Sequence, residues 1–337
     1  MLFLSFETSC DDTCVAVVKN GQEILSNVVA SQNALHAPFG GVFPELAARA
    51  HVKNLLPVMQ AALDEARLSI TEIGAFAATQ GPGLINSLLV GLGAAKTLAT
   101  LHQKPFYGVN HIEAHLYPGL LQNAPLPALG LILSGGHTTM VLIEKFGSYK
   151  HIGSTVDDAI GEAFDKVARL LESTEEKSLT SLPSGQWIEE LAKNGNPNAY
   201  AFRAGEVKKN PYAFSFSGLK TAVSYQIPKN APLTLQEKRD IAAAFQKAAF
   251  TDVLQKIERA KKMYHPKSIV LGGGVVQNQT LQYLCQSHAS LPCFFPERGL
   301  ASDNGAMIGM LAWHKAQQGP PDSLALGAAS RLPFFLV

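Results

Sequence analysis

Apolar and polar positions follow one another along this chain in blocks that read as short strands and longer helices. Leu2 to Phe6 and Cys14 to Val18 are apolar runs flanking Glu7-Thr8-Ser9-Cys10-Asp11-Asp12-Thr13, a polar turn that predicts an antiparallel hairpin. Leu129 to Leu133 and Thr139 to Ile143 flank Ser134-Gly135-Gly136-His137-Thr138 in the same way. Two hairpins with polar tips of phosphate size imply a duplicated architecture of two lobes facing one cleft; two unrelated hairpins are the alternative. Between them, Ile73 to Thr79 predicts a strand and Gly81-Pro82-Gly83 ends it. Leu84 to Leu101 predicts a buried helix, and Pro105 to Val109 a short strand. This alternation predicts α/β architecture with a mainly parallel sheet. In the second half, Asp157 to Leu171 and Ile241 to Lys262 have helical spacing, and Ser268 to Leu271 is a strand running into Gly272-Gly273-Gly274. Phe214 to Lys220 reads as a strand end with a solvated lysine, polar Glu172 to Ser184 as a mobile loop, and Gly319 to Val337 as a tail or strap.

Composition narrows the class. At 337 residues the chain has room for about two domains. With 28 Lys plus Arg against 27 Asp plus Glu, the net charge of +1 argues against a surface that binds nucleic acid everywhere, so any RNA contact must be local or shared with a partner. Four cysteines, Cys10, Cys14, Cys285 and Cys293, are too few for a secreted disulfide framework. With Glu7 following the first apolar run, the N-terminus does not read as a signal peptide, and a cytoplasmic location is expected. Leu84 to Leu101 carries Asn86, Ser87 and Lys96, which disfavours a membrane span.

Several residues have chemistry to offer. His111 and His115 in Asn-His-Ile-Glu-Ala-His share one face of a helical turn and could supply two metal ligands, or be histidines that merely fall at that spacing. Glu113 points about 160 to 200° away from both on a 3.6-residue helix, which disfavours the His-Glu-x-x-His mechanism. Asp303 in Ala-Ser-Asp-Asn-Gly reads as a helix N-cap or as a distant carboxylate completing a set of two histidines and one acid. Gly272-Gly273-Gly274 and Ser134-Gly135-Gly136-His137 allow close backbone approach to an anion, or make tight turns. Asp11 and Asp12 could hold a cation or water, or be turn acids. Lys247, Lys256, Arg259, Lys261, Lys262 and Lys267 form a charge run on or near one helix, which usually means a solvated face.

Taken together, these segments resemble the TsaD family, also called Gcp or YgjD, the catalytic subunit of tRNA threonylcarbamoyladenosine synthesis. The resemblance lies in Phe6 to Thr13, His36 to His51, Gly81 to Leu84, Asn110 to His115, Ser134 to Thr138, Asp157 to Lys166, Phe214 to Thr221, Gly272 to Val275 with Asn278, and Asp303 to Met307, all in family order. It implies an actin-like ATPase (ASKHA) fold with two related RNase H-like lobes around a nucleotide cleft: residues 1–122, residues 123–300, and a segment 301–337 carrying a metal ligand. It implies that His111, His115 and Asp303 hold one divalent metal per subunit, ferrous iron in preference to zinc. Ile132, Leu133, Ser134, Gly135, Gly136, Asp165, Gly185, Glu189 and Asn278 would contact threonylcarbamoyl-AMP. The threonylcarbamoyl group would pass to N6 of the adenosine 3′ of the anticodon in tRNAs reading codons that begin with A, releasing AMP. His137 would stabilise the departing phosphate, and Asp11 or Asp12 would act as base or orienter. The family has Glu where this chain has Asp12, and its loop before Gly185 differs. Implied partners are tRNA, a TsaB-like homologous subunit, a TsaE-like ATPase and a TsaC-like enzyme supplying the intermediate, with no membrane. A metal-dependent glycoprotein endopeptidase and an ASKHA-type ATPase or kinase are the competing readings.

Overall fold

The computed structural model describes residues 1–39, 41–172, 182–228 and 231–333. Most of the expected Glu172 to Ser184 loop lies outside these residues. In chain order the first unit contributes β1 (Leu2–Glu7), β2 (Asp12–Lys19), β3 (Glu23–Ser31), α1 (Asn33–His36), α2 (Pro44–Ala66), β4 (Ala75–Gly81), α3 (Ile85–His102), β5 (Phe106–Asn110), α4 (His111–Ala114) and α5 (Tyr117–Leu120). The second contributes β6 (Ala128–Leu133), β7 (Thr138–Lys145), β8 (Ser148–Ser154), α6 (Ile160–Leu171), α7 (Ser184–Ala192), α8 (Ser217–Gln226), α9 (Leu235–Tyr264), β9 (Ser268–Gly272), α10 (Gln279–His288) and β10 (Cys293–Phe294). The chain then returns to the first unit with α11 (Gly305–Gln318). The units are Met1–Asn123 with Pro296–Leu336, and Ala124–Phe295.

Both predicted hairpins form, and each opens a five-stranded sheet. The first sheet runs β3-β2-β1-β4-β5 and the second, in the same sense, β8-β7-β6-β9-β10. In each, the meander on one side pairs antiparallel and the two later strands pair parallel. The sheets are therefore mixed rather than mainly parallel. The hairpin tips are too short for a crossover, so their strands must return antiparallel, and only helix-linked strands add in parallel.

The central strands β1, β2 and β4 of the first sheet are covered on both faces, which is why they are almost wholly buried, whereas edge strand β3 is largely half-exposed. Leu4, Phe6, Val15, Val17 and Phe76 pack with Leu55 and Val58 of α2 and Leu92 and Ala95 of α3. On the opposite face α11 sits close: a Cβ on Gly305 would lie 2.6 Å from the Ala16 nitrogen, and Ser5 donates to the Gly305 carbonyl at 2.8 Å. α3 buries only one face, correcting the buried-helix expectation, since Ile85, Leu89 and Leu101 are exposed. Among the described residues no helix is long and apolar enough to cross a membrane. The Pro- and Gly-rich end is a strap. Asp322 and Ala329 donate backbone N–H groups to Phe106 and Gln80, and the Asn110 amide donates to the Leu332 carbonyl at 2.7 Å.

In the second unit, α6 starts at Ile160 rather than Asp157. The Asp157 carboxylate is turned back to accept from the Phe216 and Ser217 backbone N–H groups. That cap helps start α8 at Ser217, so Phe214 to Lys220 is a bridge residue followed by a helix and not a strand end. α9 begins six residues before the expected Ile241, because Thr234 and Glu237 form a reciprocal capping box. Phe164, Phe245 and Phe250 build its aromatic core, with ring centroids 4.9 and 5.6 Å apart.

Candidate functional site

In the first unit, three elements deliver side chains to one point. β5 ends at Asn110, whose carboxamide oxygen accepts from the Ile112 and Glu113 backbone N–H groups and starts the short turn α4. That turn presents His111 and, just past its end, His115. Asp303 comes from the segment before α11. The N-cap role expected of Asp303 falls instead to its neighbour Asn304, which accepts from the Met307 N–H at 2.9 Å. The Asp303 carboxylate is thereby left to face the histidines, its Oδ1 3.3 Å from His115 Nε2 and 3.6 Å from His111 Nε2. Ligand atoms of all three residues lie within 4.8 Å of one another.

The surroundings suit a cation. His115 is 2% exposed, and neither of its ring nitrogens has a hydrogen-bond partner. Burying two such atoms is costly unless something binds them. His111 is held from behind: its Nδ1 lies 2.9 Å from Glu7 Oε2 and 3.2 Å from Ser9 Oγ. Glu7 is fully buried at the end of β1 and also accepts from the Thr79 hydroxyl and the Ser9 N–H. Burial by itself would lower the His111 pKa, but the Glu7 and Asp303 charges and the Glu7 hydrogen bond outweigh it and carry it up to about 9. Burial likewise pushes Glu7 up, and the His111 charge and hydrogen bond overcome that to hold it below the usual carboxylate value. A carboxylate on Nδ1 leaves Nε2 to coordinate, the usual outer arrangement of a metal-bound histidine. The donor set of two imidazoles and one carboxylate suits iron or zinc.

Asp11 and Asp12 lie at the same hairpin, half-buried. Asp12 Oδ1 is buried without a hydrogen-bond partner. Burial, with the charges of Asp303, Asp11 and Glu7, raises Asp12 to about 6 against an opposing bond to Ser31.

In the second unit, the Ser134–His137 tip closes on itself: Ser134 N–H donates to the His137 carbonyl at 2.8 Å, and His137 N–H to Ser134 Oγ at 3.0 Å. Gly135 and Gly136 are exposed, with open space where a Cβ would stand. Ile132 and Leu133 are fully buried, so only their backbone can serve a ligand. The N-terminus of α6 meets this tip, with Gly161 N–H donating to the Ser134 carbonyl at 3.2 Å and Ile160 N–H to the Thr138 hydroxyl at 2.8 Å. The first of the triple-glycine residues past β9, Gly273 (φ +92°), leaves no room for a side chain: a Cβ would lie 2.5 Å from the Leu133 carbonyl oxygen. Asn278 caps α10 by accepting from Leu281 N–H and donates to Gln246 at 2.8 Å. Glu189 accepts from the adjacent Gln279 N–H at 2.8 Å, so these two predicted residues meet at one helix start. Asp165 lies half-buried on α6, and Gly185 stands at the start of α7 with open space around it.

A family model described as TsaD, tRNA N6-adenosine threonylcarbamoyltransferase, matches residues 23–310. The chain belongs to the TsaD family. A tRNA N6-adenosine threonylcarbamoyltransferase of Protochlamydia amoebophila is 46% identical over 99% of this chain and 98% of its own length. One of Gloeothece citriformis is 44% identical over 98% and 96%. The chain is thus a transferase that modifies tRNA with a threonylcarbamoyl group, and the endopeptidase and kinase readings are not favoured. Solved structures show the fold alone at their low identities. HypF of T. kodakarensis is 13% identical with a TM-score of 0.61, covering 94% of this chain and 48% of that one. Component A of the Acidaminococcus fermentans (R)-2-hydroxyglutaryl-CoA dehydratase is 15% identical with a TM-score of 0.52, covering 94% and 99%. The fold of this TsaD-family chain is the actin-like ATPase fold, built from two mixed five-stranded sheets.

Sequence reasoning assigned no role to Glu7, Ser9 or Thr79. An acid closing an otherwise apolar strand is the signal that could have found Glu7. It also missed His51, which binds Thr13 Oγ1 at 2.8 Å and the Cys10 carbonyl at 3.0 Å and so fixes the shape of the tip.

Proposed function

We propose that His111, His115 and Asp303 hold one divalent metal, iron in preference to zinc, and that the second unit's tip holds the AMP part of threonylcarbamoyl-AMP. The observation that carries this reading is that neither buried nitrogen of His115 makes a hydrogen bond, while His111 and the Asp303 carboxylate stand beside it. When bound, the metal supplies Lewis acidity toward the carbamoyl oxygen. Glu7 fixes the tautomer and plane of His111. The exposed Gly135 and Gly136 backbone, the His137 side chain and the positive pole at the start of α6 would meet the phosphate, with Asp165, Gly185, Glu189 and Asn278 placing the nucleoside.

In the transfer, N6 of the adenosine 3′ of the anticodon bonds to the carbamoyl carbon. The bond from that carbon to the phosphate oxygen breaks, and AMP leaves with its electron pair. The N6 proton must go to a base. Asp12 fits that role best, because a half-buried carboxylate raised to about 6 is ionised at neutral pH yet basic enough to accept. Asp11 takes the orienting role in this reading. A near-neutral chain fits work in the cytoplasm beside a TsaB-like subunit and a TsaE-like ATPase, with a TsaC-like enzyme making the donor.

The test is mass-spectrometric nucleoside analysis of tRNA incubated with this chain, its partners and the donor. Threonylcarbamoyladenosine should form, and should vanish with a chelator and return with added metal. Undiminished product in the fully demetallated chain would contradict the metal assignment.

A further inference from the structure

We infer that the groove between α9 and the 197–211 segment of the second unit is a docking surface for the phosphate backbone of tRNA. It is an open cavity of about 910 Å³, and described residues line all of it. The charge run on α9 read from sequence as a solvated face, but the structure divides it. Lys256 is buried against Asp252 and over the Phe214 ring, and Lys261 is tied to Glu258, so neither is available. Lys247 and Arg259 are exposed and both line the groove, more than three helical turns apart along α9.

Arg203 and Lys208, from the 197–211 segment, line the same groove. None of these four cations is in an ion pair with a described carboxylate. Lys247 donates to the neutral Asn198 amide and Arg259 to the Pro211 carbonyl, so their charge remains unneutralised. Against four cations the groove sets one exposed acid, Glu206; its other carboxylate, Asp252, is already paired. The stacked rings of Tyr200 and Phe202, parallel to within 5°, give it an apolar wall. Cations with an aromatic wall are the pattern of backbone-tracking nucleic-acid grooves. In a chain of net charge +1 this concentration is the local basic surface that a tRNA enzyme requires. The inference rests on the transferase reading, which makes tRNA the polyanion at hand, and it locates a contact outside the residues assigned to chemistry.

The test is tRNA binding by the full chain, followed by fluorescence anisotropy over a range of salt. Wild type is compared with Arg203→Glu plus Lys247→Glu and with the milder Arg203→Gln plus Lys247→Gln. AMP affinity and metal content are measured on the same samples as controls for folding. The reversal pair should bind tRNA at least tenfold more weakly, and the slope of log affinity against log salt should fall by about one to two, as for loss of two phosphate contacts. The Gln pair should show the same change at smaller size, with AMP affinity and metal content unchanged. Equal affinity and slope in all three proteins, or no salt-dependent binding by wild type, overturns the proposal. So does loss of inorganic tripolyphosphate binding with tRNA binding intact, which would make the groove a small-anion site. Failure of the transferase reading would appear elsewhere, as absence of the modified nucleoside with wild type.

Discussion

The two units share a sheet order and differ at the tips of their first hairpins. In each, a glycine past the fourth strand of the unit's own order presses on the hairpin. Gly83 would place a Cβ 2.5 Å from the Ser9 carbonyl oxygen, and Gly273 would place one 2.5 Å from that of Leu133. The backbone contact is the same, and the side chains around it are not. The first tip carries the acids Glu7, Asp11 and Asp12, and sets Glu7 and Ser9 against His111, a surface for a cation. The second is Ser-Gly-Gly-His, with exposed backbone and the start of α6, a surface for an anion. Duplication supplies a rigid frame, and a handful of tip residues sets the sign of the ligand.

That contrast can be broken from either side. The largest effect should come from removing a ligand. Asp303→Ala should abolish metal binding and lower transfer by more than the 10–100-fold typical of an outer-shell loss, read by metal content and by modified nucleoside. Gly273→Ala should distort only the second tip. A positive φ and a carbonyl at 2.5 Å make a cost of about 2 to 3 kcal/mol reasonable, with weakened AMP binding and unchanged metal content.

Glu7→Gln keeps the shape of the first tip but replaces a charge-assisted bond to His111. Metal affinity should fall about 10- to 100-fold while the fold persists, checked by competitive chelation. The smallest effect concerns pH. The Asp12 pKa of about 6 lies above its ordinary value, so the folded chain keeps a proton that the unfolded chain has released. The stability this provides is present at low pH and is lost as pH rises from roughly 4 through 6. Asp12→Asn should flatten that slope and, at pH 7, raise stability by about 1 to 2 kcal/mol after discounting partial exposure, while slowing transfer. Denaturant melts at several pH values read the first effect, and single-turnover transfer reads the second.

Much of the frame was legible because hairpin signals are local: a polar tip between apolar runs leaves the chain few alternatives to β1-β2 and β6-β7. Sheet polarity was not, since pairing direction depends on which connections are too short to cross over. The division of labour between Asp303 and Asn304 was hidden too. Either residue can cap a helix, and only the position of α11 against β1 and β2 decides which one does. The resemblance named His111, His115 and Asp303, and the sequence offered them as a ligand set with a bland alternative beside it. Glu7 stayed silent because its role needs His111, which lies 104 residues away and meets it only once β1, β4 and β5 are aligned. The basic groove was misread for a related reason. Helical spacing cannot show which of these cations are tied to acids, nor that Arg203 from a distant segment lines the same groove as Lys247 and Arg259.

The most direct test of the contrast is a crossed measurement of metal content and AMP affinity on Asp303→Ala and Asp165→Asn. The account predicts that Asp303→Ala loses metal and keeps AMP affinity within about twofold, and that Asp165→Asn keeps metal and binds AMP at least tenfold more weakly, about 1.4 kcal/mol. Loss of both properties in either variant, or of the opposite one, would contradict the assignment of cation to the first hairpin and anion to the second.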